Sequence, residues 1–191
     1  METKKIMIVG VGGQGTLLAS KLLGKVLLNR GYDVKVSEVH GMSQRGGSVV
    51  TYVCYGDRVY APIIDKGESD VIVSFELLEA ARYTEYLKEG GTILTNTQQT
   101  NPMPVITGAM EYPADLVKKM QGLGLKVDAI DALALANEAG SSKAVNLVLM
   151  GRLSKYFDFT EDEWQTAIET SVPEKFLDMN RKAFKLGREA N

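Results

Sequence analysis

A glycine-rich segment, Gly10-Val11-Gly12-Gly13-Gln14-Gly15, stands between the apolar run Ile6 to Val9 and a stretch patterned as a helix. Glycines at this spacing permit a tight turn and a close approach of backbone to a ligand. The free amides at the helix start, with the positive end of its dipole, can hold a phosphate. Glu38 ends the next strand-like run, roughly 20 residues on, where a dinucleotide-binding protein keeps the carboxylate that takes the ribose hydroxyls. An NAD- or FAD-binding reading therefore accompanies the anion-binding one. The structural alternative is that the glycines only let helix pack closely on strand.

A second cluster, Gly41-Met42-Ser43-Gln44-Arg45-Gly46-Gly47, follows Glu38, Val39 and His40. It falls at the carboxyl end of the second strand, the edge at which open α/β sheets place ligands. Arg45 offers a bidentate fork for a phosphate or a partner's carboxylate, and Gly46 and Gly47 let another backbone approach. The other reading is a turn with a solvated arginine. The candidate ligand-binding set is thus Gly10, Gly12, Gly13, Gln14, Gly15, Glu38, Ser43, Arg45, Gly46 and Gly47, with no catalytic residue and no metal ligand assigned. His40 has no catalytic partner in the sequence and reads as a turn or hydrogen-bonding residue. Cys54 reads as a small apolar packing residue. Glu76, Glu79 and Arg82 share three-residue helical spacing, which makes either a solvated ion-pair face or a face toward a partner.

These residues require elements to hold them. Ile6 to Val9 is a buried parallel strand, and Leu18, Leu22 and Val26 recur at four-residue spacing in a helix over Gln14 to Arg30 that Gly31 stops. Asp33 to Glu38 is a second strand, parallel to the first through a right-handed crossover. Too few residues, Val39 to Gly46, separate it from the run at Gly47 to Tyr55 for a helical crossover of at least ~10–12 residues. Gly56 and Asp57 then divide Ser48 to Tyr55 from Arg58 to Ile64, and this pair is expected to form a hairpin with Pro62 on an edge.

Alternation then resumes. A strand over Val71 to Phe75, a helix over Glu76 to Lys88 and a strand over Thr92 to Thr95 are followed by a Pro102 and Pro104 loop. A helix near Ala114 to Gln121, a strand near Lys126 to Ile130 and a helix capped by Asp131 come next. Lys143 to Tyr156 is helical despite Gly151, which costs about 1 kcal/mol relative to alanine. Thr160 with Glu163, and Ser171 with Glu174, both fit the capping box. Phe176, Met179, Ala183 and Leu186 form an apolar seam that something must cover. The expected architecture is three-layer, Rossmann-like α/β, a mostly parallel sheet with a β-hairpin excursion and C-terminal helices.

Composition narrows the function. The 191 residues suit one domain, and a formal charge of −2 gives no broad field for nucleic acid or an anionic membrane. With no long apolar run and no signal-peptide core, the chain is expected in the cytoplasm. One cysteine and one histidine leave no material for a disulfide, a Cys-rich zinc site or an iron–sulfur cluster ligated by this chain alone.

The stretches IMIVGVGGQGTLLASKLLG, SEVHGMSQRGGSVV and SFELLEAARY resemble the gamma-type subunits or domains of 2-oxoacid:ferredoxin oxidoreductases, and within them the beta subunits of indolepyruvate oxidoreductases. The GGQG and QRGG pair in this order is much more specific than GxGxxG alone. The resemblance implies that residues 1–191 are a single pyruvate/ketoisovalerate oxidoreductase gamma-type domain, helical from about 143 to 191. It implies a subunit of a complex that oxidatively decarboxylates a 2-oxoacid, passes electrons to ferredoxin and forms an acyl-coenzyme A. Thiamine diphosphate and iron–sulfur clusters would then lie on a larger partner subunit, since no thiamine-type GDG segment is found here. Coenzyme A phosphates are the anion the glycine loop and Arg45 would contact.

Overall fold

The computed structural model describes residues 2–41 and 46–190. Its sheet is built from β1 (Lys4–Val11), β2 (Asp33–His40), β3 (Ser48–Gly56), β4 (Ser69–Ser74), β5 (Leu87–Asn96) and β6 (Lys126–Ile130). The strand order is β2-β3-β1-β4-β5-β6. β3 runs antiparallel to both of its neighbours, with Val53 opposite Ile6 on one side and Val36 on the other. β1, β4, β5 and β6 are parallel.

Two sequence expectations change here. The second strand points the same way as β1 but is not paired with it, because β3 folds back from β2 and takes the place beside β1. The hairpin is therefore β2–β3, not the pair divided by Gly56 and Asp57. Both edges of β3 are occupied, so Arg58 to Ile64 cannot pair with it as a hairpin, and it forms no strand. It crosses beneath the sheet as irregular chain, with Val59 and Ile64 buried and the Val59 amide donating to Asp33 Oδ2 at 2.8 Å.

Helices cover both faces. On one lie α1 (Thr16–Asn29), α5 (Ala132–Ala139), α6 (Val145–Leu153), α7 (Glu161–Glu169) and α8 (Leu177–Glu189), which share one core with Ile6, Ile8, Val53, Val73 and Leu94. On the other, α2 (Leu77–Arg82) and α4 (Leu116–Gly122) pack on Met7, Val9, Ile72 and Ile93. A one-turn helix, α3 (Met103–Ile106), lies between β5 and α4. Alternate residues of β1 thus feed opposite cores, as a strand buried on both faces must.

The expected helix over Glu76 to Lys88 ends early. After α2 a short 3₁₀ turn leads straight into β5. Gly90 and Gly91 do not precede that strand but lie inside it, where the β4–β5 register shifts. Gly90 takes φ +77, and a Cβ on Gly91 would stand 2.9 Å from the Asp70 carbonyl oxygen. This is the bulge geometry that glycine accommodates.

At the C-terminal side, the Thr160 capping box forms as the sequence reads: Thr160 Oγ1 accepts from the Glu163 amide and Glu163 accepts from the Thr160 amide at 2.8 Å. The second box does not. Pro173 is extended at ψ 141, so helical turns begin only after it and no side chain caps them. In α8 the seam rotates. Ala183 and Phe184 are buried with Gly187, while Phe176 stays exposed. The cover is α6, which is buried almost all round between sheet and α8. Its lack of an amphipathic stripe reflects that position.

Candidate functional site

The glycine loop links β1 to α1 at the carboxyl edge of the sheet. Gly10 has no room for a side chain, since a Cβ would lie 2.8 Å from Gln14 Oε1 and 3.0 Å from Phe75 Cβ. Gln14 folds back under the loop: its Oε1 accepts from the Val11 amide at 2.7 Å and its Nε2 donates to the Phe75 carbonyl at 3.3 Å. Its amide is therefore committed to holding the turn. Gly13 and Gly15 adopt φ +98 and +88, which other L-residues rarely tolerate. α1 starts directly after Gly15 with no side-chain cap and no acidic residue in its first turn. Its first amides are consequently free to meet a ligand.

The two glycine clusters meet. The Gly12 amide donates to the Gly47 carbonyl at 2.8 Å, so the segment after β2 is tied to the loop after β1. Gly46, at φ +80, lines a small cavity of about 50 Å³ with Ser48, Glu76, Glu79 and Arg82. Ser43 and Arg45 lie outside the described residues.

Glu38 shares a groove of about 440 Å³ with Gly12, Gly13, Gly15, Thr16 and His40. The groove survives although β3 separates β2 from β1, because Glu38, Thr51 and Ile8 are in register and project to the α1 face. Thr51 Oγ1 donates to Glu38 Oε2 at 3.4 Å. The carboxylate nonetheless sits one strand farther out than in a dinucleotide fold, where its strand adjoins β1; with strands about 4.8 Å apart, that is a displacement of one full spacing. His40 is exposed, with Nδ1 at 3.2 Å from the Gly41 carbonyl oxygen, and has the hydrogen-bonding role expected. Cys54 is buried within β3, and burial pushes its thiol up from the ordinary value.

A second groove, about 410 Å³, opens on the other side of Gly13 and Gly15 and is walled by Gln98, Leu133, Ser142 and Lys143. The sequence reading passed over these residues because Gly140 to Ser142 read as a mere break between helices. The signal available was a lysine next to that break, at the start of a helix.

On the Glu76, Glu79 and Arg82 face only Arg82 is exposed. Glu76 and Glu79 are 1 % and 5 % exposed. Glu76 caps α2, accepting from the Glu79 amide at 2.9 Å, and also accepts from the Thr100 amide at 2.9 Å and the Tyr112 hydroxyl at 2.6 Å. Glu79 accepts from Ser48 Oγ, and Arg82 Nε lies 3.4 Å away. Burial raises the Glu79 carboxyl above its usual range, the Ser48 hydrogen bond and Arg82 oppose that, and the Glu76 charge adds to it. The strand end β4 turns into α2 directly over the sheet edge, which draws both carboxylates inward. No three His, Cys, Asp or Glu side chains converge to hold a metal ion among the described residues, and no helix there is long and apolar enough to cross a membrane.

Residues 5–190 match the family described as pyruvate ferredoxin/flavodoxin oxidoreductase. The indolepyruvate oxidoreductase subunit IorB of Thermococcus kodakarensis is 47% identical over 100% of this chain and 96% of its own length. Among solved structures, the pyruvate oxidoreductase subunit PORC of Thermotoga maritima superposes with a TM-score of 0.77 at 22% identity, covering 99% of this chain and 97% of that one. The 2-oxoglutarate:ferredoxin oxidoreductase of Magnetococcus marinus, solved with 2-oxoglutarate, coenzyme A and succinyl-CoA bound, superposes with a TM-score of 0.72 at 19% identity over 98% of this chain and 31% of that one. At those identities the two structures share the fold. On the family match and the full-length relative, the chain belongs to the pyruvate ferredoxin/flavodoxin oxidoreductase family, as a subunit of an oxidoreductase.

Proposed function

We propose that this chain is the smaller, cofactor-free subunit of a cytoplasmic indolepyruvate:ferredoxin oxidoreductase, supporting oxidative decarboxylation of aryl 2-oxoacids to acyl-coenzyme A. The full-length likeness to an indolepyruvate oxidoreductase subunit supports the substrate class. The observation that carries the subunit's role is the loop saddle in which Gly12 is bonded to Gly47, with grooves on both flanks and the uncapped start of α1 between them. Such a surface suits binding an anion and closing over a neighbouring site.

The residues support a division of labour. One buried cysteine cannot ligate a cluster, which supports a larger partner that carries the iron–sulfur clusters and, by the family likeness, the thiamine diphosphate, and that ferredoxin meets through the complex. Thiamine diphosphate supplies the carbanion stabilisation. This chain's own part is to offer amides at Gly13, Gly15 and Thr16 to the coenzyme A phosphates and to shield the reaction space from water.

Copurification from the source cells, followed by reconstitution, tests the proposal. Indolepyruvate-dependent reduction of ferredoxin is expected only when this chain and a cysteine-rich, thiamine-dependent subunit are combined. Turnover by this chain alone, or failure to copurify with such a subunit, overturns it. A free-standing NAD(P)- or FAD-dependent oxidoreductase is the alternative, and tight NADH binding lost on Glu38→Ala would favour it; the insertion of β3 between β1 and the Glu38 strand argues against it.

A further inference from the structure

The chain leaves β5 at the same carboxyl edge of the sheet as the glycine loop, and there it projects a knob. The base of the knob is braced. Gln98 walls the α6-side groove, and its carbonyl accepts from the Leu77 amide at 3.0 Å. The Thr100 amide donates to Glu76 at 2.9 Å, and Pro102 lines the small cavity beside Gly46. Beyond Pro102 the chain turns outward: α3 buries none of its residues, and Met103, Ile106 and Met110 are 69 %, 66 % and 65 % exposed. Residues 97–110 carry no charge, although 24% of the chain is charged. Single exposed apolar side chains are ordinary. Three on one uncharged loop have the composition of an interface core, where charged residues are depleted and methionine is enriched. The knob is also held in shape by its own backbone. The Ile106 amide donates to the Pro102 carbonyl at 3.1 Å, and the Ala109 and Met110 amides donate to that of Pro104 at 2.9 and 3.0 Å, with Gly108 turning at φ +74. A loop ordered in advance loses little conformational freedom when it docks.

We infer that the α3 knob is the docking element of this subunit, seated in an uncharged, apolar pocket of the larger, cofactor-bearing subunit. The identity of that partner rests on the proposed function; the surface itself rests on the exposure, the missing charge and the braced loop. Its place favours that occupant. The knob rises from the rim that carries both grooves, so a protein over which the glycine loop closes meets α3 as well. The same fold makes up 31% of the longer Magnetococcus marinus chain, where it is joined to the rest of one polypeptide. A second copy of this chain is a poorer receiver. Its apolar groove between α1 and β2, of about 450 Å³, is walled by Leu17, Leu28, Val34 and Val36 but has Lys21 and Lys25 beside them, and residues 97–110 bring no carboxylate to meet those lysines. A knob in that groove is also a head-to-tail contact, which runs into rings or filaments rather than closing as a pair.

The test titrates the full-length chain, as wild type and as Met103→Asp, Ile106→Asp and Leu123→Asp, into the purified cysteine-rich, thiamine-dependent subunit. Sedimentation velocity follows complex formation, and indolepyruvate-dependent ferredoxin reduction follows function. Leu123 is 75 % exposed as well but ends α4 where the chain enters β6, at the opposite edge of the sheet, so it controls for the added charge. Urea midpoints of all the variants are expected to match wild type, since none of these side chains is buried. Met103→Asp and Ile106→Asp are each expected to raise the concentration of this chain that gives half-maximal turnover by about thirtyfold, with maximal turnover unchanged at saturation and Leu123→Asp behaving as wild type. Wild-type titrations by both knob variants overturn the docking role and leave the functional reading standing, and so does equal weakening by Leu123→Asp. Self-association of the free chain that Ile106→Asp abolishes, with binding to the larger subunit intact, overturns it in favour of a second copy. Failure of the wild-type chain to bind the larger subunit overturns the functional reading, and this partner with it.

Discussion

Gly151 of α6 and Gly187 of α8 bring two helix backbones into direct contact: a Cβ on Gly151 would lie 1.9 Å from the Phe184 carbonyl oxygen, and one on Gly187 would lie 1.9 Å from that of Val148. The crossing fixes α6 between sheet and α8, and through α6 it fixes Asn146 and Lys143 beside the glycine loop. Glycine in a helix costs about 1 kcal/mol relative to alanine; here the close packing offsets it.

This crossing inverts the usual effect of alanine. Gly151→Ala and Gly187→Ala are expected to destabilise by about 3 kcal/mol each, because backbone has to move apart. Gly24, inside α1, meets nothing closer than Val36 at 3.9 Å, so Gly24→Ala is expected to stabilise by about 0.5–1 kcal/mol. Urea midpoints of the three variants check this; a stabilised Gly151→Ala would show that the helices do not touch there.

Asp128, at the centre of β6, accepts from Arg152 Nε at 2.8 Å and Nη2 at 2.9 Å, and from the Tyr156 hydroxyl at 2.8 Å. Burial alone would raise its carboxyl, but the hydrogen bonds from Arg152 and Tyr156 and the nearby positive charge win and hold it below the ordinary carboxylate value. A lowered native value gives stability that is present above the unfolded pKa of about 4 and lost as pH falls through the native one. Asp128→Asn is expected to cost about 2 kcal/mol at pH 7 and to flatten the loss of stability below pH 4. Thermal melts across pH 2.5–7 on the order of half a unit apart provide the measurement.

Glu79 has the opposite sign. Its native value is raised, chiefly by burial, so its contribution is fully present below the unfolded value of about 4.3 and is lost as pH rises through the native one. Glu79→Gln keeps an oxygen for Ser48 and removes the buried charge. It is expected to equal or exceed wild type at pH 8, by on the order of 1 kcal/mol, and to fall behind it at pH 4. A variant less stable than wild type at pH 8 and equal at pH 4 would mean that Glu79 is held charged.

What the sequence disclosed was local. The Thr160 box and the Asp131 cap, whose carboxylate accepts from the Ala134 amide at 2.9 Å, need only residues within one turn. β6 is found at Lys126–Ile130 as read, because glycines and a capping aspartate bound it. The glycine loop was legible for the same reason. Strand order was not: the shortness of the link after Glu38 excluded a crossover, but which strand would occupy the flank of β1 depends on pairing between distant residues. Three-residue spacing placed Glu76 and Glu79 together without telling whether the sheet edge lay above or below them. Asn146 read as one polar residue in a helix, because its neighbour Gly15 lies far away in sequence.

Among the described residues, β2 has a strand on one side only. Its outer row of amides and carbonyls is left without a ladder, and Val36 and Val39 stand exposed along it. That rim is a template for any extended backbone that drifts against it. Made in excess and left uncovered, the polypeptide carries its own route to sticking edge to edge, and its solubility becomes a question of how soon that margin is sheltered.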